Sequence, residues 1–131
     1  PEFERAFEAL DGDADTNAAV RAIAAAVESC LKIVIGNGLS RVGPAEIERY
    51  LWPKVRQAYE RDEVAADAGH QLLKSLADWV NATHQYRHGQ HAETEVSAPL
   101  ELAVQILSQG AAFIRWLIAM EKMASQSAQP G

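Results

Sequence analysis

Apolar side chains recur along this chain every three or four residues, in runs long enough for helices, and nowhere in the alternation of a strand. Val20, Ile23, Ala24, Val27, Leu31 and Val34 form one such stripe. It predicts a helix from an N-cap at Asp15 or Thr16 to about Ile35. The segment "GNGLSRVG" then stops the chain, with Gly36 or Gly38 available for a left-handed C-cap. Pro44 suits the first turn of a helix over "PAEIERYLWPKVRQAYER". Pro53, which has no N–H to donate, predicts a kink there or a new helix after Trp52.

A further helix is predicted over residues 63–85, with Val64, Ala68, Leu72, Leu76, Trp79 and Val80 on its stripe and Leu73 and Ala77 widening it. The last, residues 98–124, would be capped by Ser97 or Thr94, with Pro99 in its first turn and Glu101 near the positive end of the dipole. Leu100, Val104, Leu107, Ala111, Ile114 and Ile118 make its stripe. Leu102, Ile106, Phe113, Trp116, Leu117 and Met120 spread beyond it, and one face cannot hold both sets. With "ERAFEAL" at residues 4–10 as a short additional helix, the pattern predicts an all-α, up-and-down bundle of four to five helices over residues 4–124.

The excess apolar surface of the last helix has two explanations, a central place in the bundle or a homodimer interface through Leu102, Ile106, Phe113, Trp116, Leu117 and Met120. Composition agrees with close-packed helices: 131 residues are 48% hydrophobic but only 7% aromatic, with alanine abundant. "PEF" at residues 1–3 has the form of a cloning remnant, and residues 125–131 read as a polar, flexible tail. A domain cut from a longer protein is the expectation.

A formal net charge of −6 leaves no general basic surface for nucleic acid, so RNA could be met only at a local site near Arg87. Cys30 is the single cysteine, which excludes an internal disulfide and a thiolate zinc cluster. Glu28, Lys32, Gln105 and Arg115 interrupt the apolar stretches, so no membrane span is expected. A cytoplasmic location follows as the default.

Chemistry concentrates in "THQYRHGQHAE", residues 83–93. His84 and His88 have the i, i+4 spacing of helical zinc ligands, with His91 and Glu93 or Glu95 to follow. Gly89 is placed to break that helix, and Gln85 and Tyr86 stand where an H-E-x-x-H motif needs its glutamate. No metal or other cofactor is therefore expected. Acid–base chemistry on a phosphodiester is the second reading. Arg87 would stabilise developing charge, His88 and His91 would move protons, and Tyr86 would orient a group. The third is a polar corner whose side chains bond helix ends. His70 reads as a satisfied or exposed histidine. "GNG" is no phosphate loop, because it follows a helix and lacks the lysine and hydroxyl.

"AVRAIAAAVESCLKIVIGNG", "LADWVNATHQYRHGQ" and the long closing helix together resemble the HEPN superfamily, in particular the C-terminal domains of bacterial abortive-infection proteins. The resemblance covers most of residues 16–123. It implies an all-α, usually dimeric domain, and in active members a metal-independent ribonuclease of antiphage defence. Those members carry an arginine and a histidine separated by four to six residues. Here three residues separate Arg87 from His91, and Asn81 stands where an arginine would precede His88. The departure turns the expectation toward a dimerisation or regulatory module of a larger defence protein. The alternative is a ribonuclease using Tyr86, Arg87, His88 and His91.

Overall fold

A computed structural model of the chain describes residues 15–36, 38–88 and 97–128, except for the side chains of Arg87, His88, Ser127 and Ala128. These residues form four helices and no strand: α1 (Thr16–Ile35), α2 (Pro44–Ala58), α3 (Glu63–His88) and α4 (Leu100–Ala128). The expected all-α bundle is what the chain builds. The short helix read at residues 4–10 lies outside the described residues.

The ends of α1 follow from local chemistry. Asp15 accepts the Ala18 N–H at 2.9 Å, which satisfies one of the donors a helix start leaves open. At the other end Gly36 adopts φ 72°, and its N–H returns to the Lys32 carbonyl, a left-handed cap that costs glycine little. Pro44 opens α2, with Glu46 reaching back to the Gly43 N–H at 2.7 Å. The helix continues through Pro53 to Ala58 as one element. The exposed ring of Pro53 lies on the wet side of α2, where a lost backbone bond can be replaced by water. Asp62 caps α3 through the Ala65 N–H at 2.9 Å. For α4 the start falls one residue after Pro99, whose carbonyl accepts the Ala103 N–H. Pro99 therefore precedes the helix and is not part of its first turn.

α4 is the spine. Its first half meets α3, where Trp79 donates to the Ile106 carbonyl at 3.1 Å and packs edge-on against Phe113. Its second half meets α2, through Lys54–Glu121 at 2.9 Å and the Trp116 N–H to the Tyr59 hydroxyl at 3.0 Å. α1 packs along it as well. Buried Asn17 accepts the Ala98 N–H at 2.9 Å, so α1 and α4 begin at the same end of the bundle.

Two glycines set how closely the helices approach. A Cβ on Gly110 would lie 2.5 Å from Ile23 Cγ1 and 2.9 Å from Trp79 Cζ2. One on Gly69 would lie 2.7 Å from Val55 Cγ1. Only a bare Cα lets α4 take the Ile23 and Trp79 side chains against its backbone.

Those small residues also decide which faces are buried. On α3 the core positions are Gly69, Leu73, Leu76, Trp79 and Thr83, while Val64 and Leu72 of the expected stripe are 80% and 46% exposed. On α4 the buried seam is Ala103, Ile106, Leu107, Gly110, Phe113, Leu117, Met120 and Ala124. Leu100, Val104 and Ile118, expected to face the core, are 52%, 45% and 46% exposed. The assignment of faces from sequence is thus reversed over most of this helix. Bulk favoured one stripe, and close approach through Ala103 and Gly110 selected the other.

By length and composition α4 is apolar enough to cross a membrane over Leu100–Gln126, with mean hydropathy 1.4 and 33% of that window buried. A core helix of a bundle has the same composition, and the buried seam accounts for the apolar side chains on that face.

Candidate functional site

α3 runs without interruption to His88, so Arg87 and His88 belong to its last turn. Their side chains lie outside the described residues, as does all of His91. Of the four residues read as catalytic, only Tyr86 has a described side chain. It is half-buried, packed on the core, and borders a shallow depression with Trp79, Leu102 and Ile106. His84, two residues earlier, lines a different space. Two residues turn a helix by about 200°, so His84 and Tyr86 serve opposite flanks of α3.

The space beside His84 is a cleft of about 420 Å³ between α1, the α1–α2 connection and α3. Glu28, Ser40, Arg41, Asn81 and His84 supply its polar groups, and Val42, Pro44 and Val80 its apolar wall. Glu28 also pairs with Lys32 at 3.2 Å. The guanidinium, hydroxyl, amide and imidazole can donate hydrogen bonds there, with the Glu28 carboxylate as an acceptor in the same cleft. Ser40 and Arg41 come from the stretch that reads in sequence only as a helix stop. Their association with His84 is tertiary, and no local pattern announces it.

A second polar cluster ties α2 to α3. Glu48, Trp52 and Arg56 are spaced four apart and share one face of α2. The Nε2 of His70 lies 2.7 Å from Glu48 Oε1. Its ring stacks on Trp52 with centroids 4.0 Å apart and planes 6° from parallel, and the Arg56 guanidinium sits 5.3 Å from the Trp52 ring. His70 is the satisfied histidine of the sequence reading. The Glu-Trp-Arg spacing on α2 is the signal that could have located its partners. The cluster works as a clip between the two helices.

The residues read as a dimer interface have mixed positions. Ile106, Phe113, Leu117 and Met120 are buried in their own chain, Trp116 is half-buried against Tyr59, and Leu102 is 43% exposed. What α4 turns outward instead is a flank of Leu100, Val104 and Ile118, with Ala111 and Ile114 half-buried between them. Among the described residues no group of three or more His, Cys, Asp or Glu side chains is arranged to hold a metal ion. Comparison with protein-family models, with curated proteins and with solved structures yields no match.

Proposed function

We propose that this chain is a HEPN-like helical dimerisation and regulatory module of a larger bacterial defence protein of the abortive-infection type, acting in the cytoplasm. The observation that carries the reading is the outer flank of α4. Leu100, Val104, Ala111, Ile114 and Ile118 follow the four-and-three spacing of a helix-pairing seam except at Leu107, which the chain's own core takes, and Leu100, Val104 and Ile118 stand exposed on that side. The accessible stretch from Leu100 to Ile118 is about 27 Å long at 1.5 Å per residue. A single helix flank of that length covers less than the roughly 800 Å² per partner of a standard interface. The dimer is therefore expected to depend on concentration.

Size-exclusion chromatography with light scattering tests this directly. At high concentration the chain should run at twice its 14.3 kDa mass. Val104→Glu with Ile118→Glu should run at the single-chain mass with helical content unchanged, since both side chains are exposed. Phe113→Asp, which puts a charge in the core, should unfold the protein and not merely separate the copies. A parent chain that stays monomeric at the highest attainable concentration overturns the proposal.

The cleft beside His84 supports a second reading, a metal-independent ribonuclease at the adjoining end of α3. Cleavage of RNA in EDTA, lost on Arg87→Ala and His88→Ala, is its expected result. Absence of cleavage by the full-length protein removes it.

A further inference from the structure

Glu101, Ser108, Arg115 and Lys122, seven residues apart, form one column bordering the α4 flank, all exposed and three of them charged. The column is negative at its start and positive at its end. Resting on the dimer reading above, we infer that two copies of this chain pair their α4 helices antiparallel, with Glu101 of each beside Arg115 of the other.

The register follows from the apolar positions. Opposing Leu100 with Ile118 of the second copy also opposes Val104 with Ile114 and Ala111 with Leu107. Leu100 with Ile118 and Val104 with Ile114 then face one another about a single twofold axis, the self-complementary arrangement of a closed dimer, while Leu107 stays in its own core and Ala111 is the accessible member at the centre. The same register centres the axis at residue 109 and leaves the two Ser108 positions about 3 Å apart along the helix direction, beside Ala111. The smallest side chains of the surface thus lie where the helices come closest, as the small residues of the inner seam do at Ala103 and Gly110. It also brings Glu101 within two residues of the position opposite Arg115, an offset of about 3 Å that long side chains span easily.

In antiparallel helix pairs, columns of this kind face each other across the seam and set orientation. A parallel pair offers no such match. It leaves Glu101 and Arg115 two heptads apart at opposite ends, and the column would face the positions of Ala103, Gly110 and Leu117, which are buried in the core. The remaining acid on this side of the helix, Glu121, is already held by Lys54 at 2.9 Å.

Cysteine cross-linking in a Cys30→Ala background reads the direction. Ser108→Cys should form a disulfide-linked dimer on mild oxidation. Val104→Cys alone should not, since the antiparallel register puts its two copies about 15 Å apart along the axis. Glu101→Arg and Arg115→Glu should each weaken dimerisation several-fold, and the double reversal should restore it. Linking through Val104→Cys and not Ser108→Cys, in a protein that light scattering shows to be dimeric, overturns the antiparallel pairing and leaves dimerisation standing. A dimer that neither variant links, with no effect of the charge reversals, places the contact elsewhere and also overturns it. A monomer with intact helical content removes the pairing together with the reading it rests on.

Discussion

Replacing Gly110 with alanine sets two opposed effects against each other, and the structure decides their sum. In the middle of a helix the change gains about 1 kcal/mol of intrinsic propensity. Against that, the new methyl carbon would stand 2.5 Å from Ile23 Cγ1 and 2.9 Å from Trp79 Cζ2, where carbon atoms rest at about 3.5–4.0 Å. Neither neighbour can withdraw cheaply. Ile23 is fully buried, and the Trp79 ring is anchored through its N–H to the Ile106 carbonyl. Overpacking of a tight core costs about 1–3 kcal/mol, and a clash on two sides belongs at the upper end. The net loss is about 2 kcal/mol, and at ~4 °C per kcal/mol for a domain of this size the melting temperature should fall by about 8 °C. Thermal unfolding followed by circular dichroism gives the number. Ile23→Ala combined with Gly110→Ala should lose less than the two single changes summed, because the cavity of one admits the methyl of the other. A Gly110→Ala protein as stable as its parent would refute the packing described around α4.

Other consequences concern single contacts. Asn17→Ala leaves the Ala98 N–H buried without its acceptor and should cost about 1–3 kcal/mol in denaturant unfolding; no change would mean that α4 is not anchored there. Burial raises the Cys30 thiol above its ordinary range. Native protein should therefore react slowly with a thiol reagent at pH 8, and unfolded protein quickly. By the same linkage stability is full below the unfolded thiol's pKa of about 8.5 and falls as the pH rises past it, because the unfolded chain ionises first. Lys54→Met removes the partner of Glu121, a pair only 28% and 31% exposed and worth about 1 kcal/mol. A loss above about 2 kcal/mol would show that the pair does more than close a surface gap.

Sequence legibility varied from helix to helix for a physical reason. α1 was readable to its ends, because its buried side is marked by bulky residues, Val20, Ile23, Val27, Leu31 and Val34, and both caps carry strong local preferences at Asp15 and Gly36. α3 and α4 were readable as helices but not as faces. Their seams include Gly69, Ala103 and Gly110, whose value lies in what they let approach, and a stripe judged by bulk passes over them. The bulky stripes run through Leu72 and Val104, with Leu73 widening the first, and the core takes Leu73 and Ala103. Pro53 predicts a kink or a new helix start, and α2 runs through it as one element at an exposed position.

Near the candidate site the segment was informative and the partners were not. His84 belongs to the singled-out stretch, but its cleft is completed by Ser40 and Arg41 from a distant turn. Glu48, Trp52 and Arg56 carried a readable one-face spacing, and the histidine they hold comes from another helix.

Thiol labelling along α4, one introduced cysteine at a time in a Cys30→Ala background, tests most directly whether this helix serves its own core on one side and a second copy on the other. Cysteines at 106 and 117 should resist the reagent at every protein concentration, whereas those at 104 and 118 should react freely in dilute protein and become protected as concentration rises. Equal, unprotected reaction at 104 and 118 throughout the range, or ready reaction at 106 and 117, would contradict the account.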